Sequence, residues 1–168
     1  MRILFLTQVL PYPLDAGPKT RAYYVLRALA QQHEVTLLSF VRPSDTEAAI
    51  EHLRSICAAV KTVPIVRSRL RDGWHLARSL AGSTPFVIAR DRVPAMEQAI
   101  RDLVDARPFD AVHADQLWMA SYAQFARHCH PAGAAPCLLL DQHNATWRIF
   151  DRLAAGETNP LKRRLLAL

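Results

Sequence analysis

The chain reads as an α/β domain: a doubly wound parallel sheet with helices on both faces. Three observations predict this. Short apolar runs rich in Leu, Ile and Val alternate with segments of helical periodicity. The runs are continuously apolar, as strands covered on both faces must be. The 168 residues, 51% hydrophobic, suffice for one domain with a substantial core, and no repeat, low-complexity tract or linker interrupts them.

The first predicted strand is Ile3 to Leu6. A helix is expected from near Thr20, with Ala22, Val25, Leu26 and Leu29 along one face. Val35 to Phe40 is the second strand. Ser44-Asp45-Thr46-Glu47 reads as a capping box, followed by Ala49, Ile50, Leu53, Ile56 and Cys57 on one helical face. Val60 to Val66 is the third strand, and Pro64, which lacks an amide donor, puts it at a sheet edge.

Arg67 to Ala81 reads as one helix or two short ones. Pro94 opens a further helix with Met96, Ile100, Leu103 and Val104 as its buried stripe. Phe109 to Ala114 is the fourth strand, and the helix after it spaces Trp118, Tyr122 and Phe125 for packing on the sheet. Cys137 to Leu140 is the fifth strand. Thr146 to Leu168 reads as helical, broken at Gly156 to Pro160. With the third strand at an edge, the predicted order is 3-2-1-4-5, a Rossmann-like arrangement.

Composition narrows the function. Cys57, Cys129 and Cys137 are an odd set without close pairing or a histidine cluster, which argues against a disulfide framework and a zinc site and suits free thiols in a reducing compartment. The apolar start is too short for a signal peptide, and no run reaches the ~20 residues of a membrane span, so a cytoplasmic protein is expected. The net charge of +6 is carried mostly by arginine, without a basic stripe interleaved with aromatics, so nucleic acid is not an expected partner.

In such a sheet, ligands bind outside the carboxyl ends of the strands, at the switch point beside strand one. The loop from Gln8 to Lys19 lies there. Gly17 permits close approach of a ligand to the backbone, the prolines restrict the loop, and the following helix N-terminus suits an anion. A rigid connector is the alternative. The loop carries neither the GxGxxG nor the GxxxxGK[ST] phosphate-binding pattern.

Three stretches together resemble the N-terminal half of family 4 glycosyltransferases: "PYPLDAGPKTRAYYVLRALAQQHEVTLLSF", "FDAVHADQLWMASYA" and "LLLDQHNATWRIFDRLA". The resemblance spans essentially the whole chain, residues 1–168. It implies one Rossmann-like domain of a two-domain GT-B enzyme: the acceptor side of a retaining glycosyltransferase. The donor-binding C-terminal domain, with its Arg/Lys pair and paired glutamates, is not matched here. The implied co-substrate is a nucleotide sugar and the implied acceptor a hydroxyl on a glycan or lipid-linked molecule, with no cofactor and no metal. A non-catalytic α/β ligand-binding module of the same fold is the alternative; a dehydrogenase-like domain is disfavoured by the missing glycine fingerprint.

The resemblance places Gly17 against the donor, although relatives often have two adjacent glycines where this chain has Ala16-Gly17-Pro18. Lys19 and Arg21 either add positive charge for an anionic ligand or are solvated first-turn residues. His113 and Asp115, two apart on a strand, point the same way and are the candidate catalytic pair. Asp115 stands where many relatives have histidine, and it could instead cap the next helix. His143 and Asn144 follow strand five and are candidate ligand contacts, Asn144 being equally suited to a cap. Arg67, Arg71 and Arg78 flank the apolar stripe of the 67–81 segment. That pattern suits either packing on the sheet or peripheral contact with an anionic membrane.

Overall fold

The structure, a computed structural model, describes residues 1–65, 93–143, 146–159 and 162–163. Five strands form one parallel sheet in the order β3-β2-β1-β4-β5, as the sequence predicts. They are β1 (Arg2–Thr7), β2 (Glu34–Val41), β3 (Ala59–Pro64), β4 (Ala111–Asp115) and β5 (Cys137–Asp141). The helices are α1 (Gly17–Ala30), α2 (Glu47–Arg54), α3 (Pro94–Ala106), α4 (Ala120–Cys129) and α5 (Thr146–Gly156). The segments 67–81 and 164–168, with Val66 and Asn144, lie outside the described residues.

Alternation along the strands divides the core in two. Ile3 and Phe5 of β1, with Val35 and Leu37 of β2, pack under Tyr23 and Leu26 of α1 and Ile50 and Leu53 of α2. Leu4 and Leu6, with Leu38 and Phe40, pack on the other face against Met96, Ile100 and Val104 of α3 and Tyr122 and Ala126 of α4. Helices therefore cover both faces, and β1 is central because its side chains are apolar on each. Among the described residues β3 pairs only with β2, which suits Pro64 at its end.

Several boundaries differ from expectation for local reasons. α1 starts at Gly17, not near Thr20, because Pro18 is preset for a first helical turn and Thr20 N already bonds Ala16 O at 3.0 Å. The cap of α2 is Thr46, whose Oγ1 accepts from Ala49 N at 3.3 Å, so the box does not start at Ser44. Asp45 is occupied in the preceding turn, where its carboxylate accepts from Arg42 N at 2.8 Å. α2 ends at Arg54, which leaves Ile56 and Cys57 beyond it. β4 begins at Ala111, and Phe109 is instead a buried plug before the strand. Trp118 sits half-buried in a separate 3-10 turn, Leu117–Met119, ahead of α4.

The amino edge of the sheet is fastened by Arg2. Its backbone N–H donates to Asp110 at 2.6 Å, and its guanidinium donates to the Arg107 carbonyl at 2.9 Å and to the Pro108 carbonyl. All three cysteines are free, and burial pushes the Cys57 thiol up to about 11. Among the described residues no helix is long and apolar enough to cross a membrane.

Candidate functional site

The site is a consequence of register. Phe5 pairs with His113, and His113 pairs with Leu139; one step on, Asp115 pairs with Asp141 at the strand ends. Residues two apart share a face, so His113, Asp115 and Asp141 lie on the α1 side at the carboxyl edge. The Phe5 ring stacks flat on the His113 imidazole, 4.3 Å between centroids and 8° between planes.

His143 follows β5 and returns toward β4. Its Nε2 stands 2.8 Å from Asp115 Oδ1 and 3.8 Å from Asp141 Oδ2. The first approach is close but not aligned as a hydrogen bond, for both atoms lack a well-directed partner. Asp115 is 1% exposed and His113 5%. Neither Asp115 oxygen, nor His113 Nε2, nor either His143 ring nitrogen has a hydrogen bond of good geometry. Thr7, fully buried at the end of β1, adds an unpartnered hydroxyl at the same edge.

Burial sets the protonation of these groups. It drives the Asp115 carboxyl up to about 7, with the negative charge of Asp141 adding to the rise and the Gln116 side chain tempering it. Burial lowers His113 to about 4 and also lowers His143, so both imidazoles are neutral at neutral pH. Asp141 moves the other way: the hydrogen bonds from Arg21 hold its carboxyl below the ordinary range.

Arg21 lies one turn into α1. Its Nη2 and Nε donate to Asp141 Oδ1 and Oδ2 at 2.8 and 3.2 Å. This fork ties the first turns of α1 to the end of β5. A Cβ built on Gly17 meets nothing within 4 Å, so neither crowding nor backbone conformation requires glycine there. Lys19 pairs with Asp15 at 3.0 Å. Both cationic side chains thus have acidic partners, unlike the unengaged cations expected for an anionic ligand.

Asp115 does not cap a helix. The caps of the 3-10 turn and of α4 are Gln116 and Met119, without side-chain capping bonds. Gln116 has φ 71° and ψ 162°, a region nearly reserved for glycine, immediately after the buried carboxylate. Its N–H donates to the Asp141 carbonyl at 2.9 Å, which holds the strained residue in place and ties the ends of β4 and β5.

Of the predicted site residues, His113, Asp115 and His143 lie together, Arg21 reaches Asp141 beside them, and Asn144 lies outside the described residues. Sequence reasoning missed Asp141. The signal available was an acidic residue closing an apolar strand beside the strand that carries Asp115. Linear spacing also predicted no metal cluster, whereas the fold brings ligating atoms of His113, Asp115 and Asp141 within 4.8 Å of one another.

A polar concavity of about 730 Å³ lies at the opposite, amino edge, bordered by Arg2, Glu34, Arg107 and Asp110. Its charges engage one another, as in the 3.3 Å Arg2–Glu34 and 3.4 Å Arg107–Glu34 pairs. It lacks the orphaned buried groups that mark the carboxyl edge. No family model, curated protein or solved structure matches the chain.

Proposed function

We propose that this chain is the acceptor-side domain of a retaining glycosyltransferase resembling family 4, working with a donor-binding domain that supplies the nucleotide sugar. The observation that carries the reading is the convergence of His113, Asp115 and His143 at the carboxyl edge, with Asp141 tied to Arg21 of α1. In a sheet ordered 3-2-1-4-5, the crevice between β1 and β4 is where a ligand binds. A hydroxyl entering there meets two neutral imidazoles and a carboxylate, which orient it for attack on the donor's anomeric carbon. In a retaining reaction the donor's own phosphate can receive the acceptor proton, so Asp115 serves where relatives have histidine. Bare backbone at Gly17 leaves room for the donor to close over α1.

The rival reading is a binding module without chemistry. Its specific support is that Arg21 and Lys19 already have acidic partners, Asp141 and Asp15, which lessens the pull on a diphosphate.

NMR titration of the chain with simple glycosides separates these outcomes from error. The transferase reading expects amide shifts at Thr7, His113 to Gln116 and Asp141 to His143, and no transfer or hydrolysis when nucleotide sugars are added to the chain alone. Turnover by residues 1–168 alone would sink the half-enzyme reading. Shifts confined to the Arg2 concavity would sink the site assignment.

A further inference from the structure

We propose that His113, Asp115, Asp141 and His143 form a binding site for one first-row divalent cation of the Zn²⁺ class. The inference rests on geometry alone and stands whether or not the transferase reading holds.

Two observations carry it. The first is the donor set. Atoms of His113, Asp115 and Asp141 lie within 4.8 Å of one another, and His143 Nε2 stands 2.8 and 3.8 Å from the two carboxylates. Around a tetrahedral ion with bonds of about 2.1 Å, ligand atoms lie about 3.4 Å apart. Closing the set draws the widest separations in by up to about 1.4 Å, a movement for side-chain rotation.

The second observation is independent of the first: the donors are buried and have no well-directed partner. His113 Nε2 and both Asp115 oxygens lack a hydrogen bond of good geometry, on side chains 5% and 1% exposed. An unsatisfied buried polar atom costs on the order of 1–3 kcal/mol. A proton shared between Asp115 and His143 would satisfy one oxygen and one ring nitrogen, and leave the other Asp115 oxygen and His113 Nε2 without a partner. A cation engages all of them together.

The surroundings of the donors agree. Arg21 grips Asp141 from the solvent side, and Phe5 stacks on His113, which hold two of the ligands in orientation as outer-shell groups do at metal sites. Two imidazoles favour Zn²⁺ and its neighbours over Mg²⁺ or Ca²⁺, which prefer all-oxygen sets. The donors come from β4, β5 and the segment after β5, so no linear motif reveals them.

The test uses the tag-free chain stripped with chelator, titrated calorimetrically with Zn²⁺ and followed by Co²⁺ absorption. The expected result is one equivalent of Zn²⁺ bound, tetrahedral-type Co²⁺ bands and a higher unfolding temperature with Zn²⁺. Asp115→Asn and His143→Gln should each weaken binding at least about tenfold, while His128→Gln, on the exposed side of α4, should not. Circular dichroism confirms that each variant is folded, and His143→Gln serves if Asp115→Asn is not. Sub-stoichiometric uptake, equal uptake by the variants, or preference for Mg²⁺ or Ca²⁺ would overturn the proposal.

Discussion

His143 Nε2 approaches Asp115 Oδ1 to 2.8 Å, although Asp115 closes β4 and His143 lies beyond the end of β5. The contact makes the carboxyl edge of β4 and β5 one chemical unit, and it yields the first prediction. In an enzyme joining this chain to a donor domain, Asp115→Asn should lower transfer roughly 10²- to 10⁴-fold while leaving the unfolding temperature at pH 8 unchanged or raised. The substitution keeps the shape and removes a desolvated charge. Unchanged initial rates would exclude Asp115 from the reaction.

Opposed titrations predict an unusual stability profile in chelator-treated chain. The folded-state value of Asp115 is raised from 3.8 to about 7, so its contribution is present below pH ~4 and lost as pH rises through ~7. That of His113 is lowered from 6.5 to about 4, so its contribution is present above pH ~6.5 and lost as pH falls through ~4. Between these limits the two slopes cancel, each being at most about 1.4 kcal/mol per pH unit. Denaturant titrations across that window should show stability rising with pH in Asp115→Asn and falling with pH in His113→Gln, each relative to the unaltered chain. Parallel profiles in all three would refute it.

Gly17 separates folding from function. Since an added Cβ meets nothing within 4 Å, Gly17→Ala should fold with equal or slightly greater stability. Gly17→Val should also fold, yet reduce transfer strongly in the two-domain enzyme by blocking close approach to the backbone. Full activity in Gly17→Val would show the loop to be a connector only.

The backbone at Gln116 should be relieved by glycine. Gln116→Gly is expected to gain about 1 kcal/mol, the strain of order 1–3 kcal/mol outweighing the entropy cost of glycine. Gln116→Val should lose stability. Chemical denaturation of both variants decides the matter.

The cap of α2 gives a local test. Thr46→Ala should cost about 1 kcal/mol, and Ser44→Ala close to nothing. A larger loss at Ser44 would move the cap back to where the linear pattern first suggests it.

Much of the fold is legible in the chain because the deciding signals are local. Apolar runs mark each strand, and Pro64 alone assigns β3 to an edge, which leaves few orders for the rest. His113, Asp115 and His143 are legible as strand-end polar residues. Asp141 is not, because its importance comes from standing opposite Asp115 in register, a tertiary fact. The cap of α2 misleads by two positions because Asp45 is taken by the turn at Arg42, and sequence patterns do not show which of several short polar side chains is already engaged. Trp118 misleads because the chain makes a separate turn after Gln116 before α4 begins.

The central strand is synthesised first but completed late. β1 pairs with β2 through Arg2 and Glu34, close in sequence, but its other edge waits for Ile3 to meet Ala111. Without β4, the second edge of β1 would present a row of unpaired backbone N–H and C=O groups, a template for pairing with another chain. Loop-closure entropy delays the arrival of β4. Seating β4 also brings His113 and Asp115 to the carboxyl edge, so variants that slow that seating should reduce soluble yield before they reduce the stability of chains already folded.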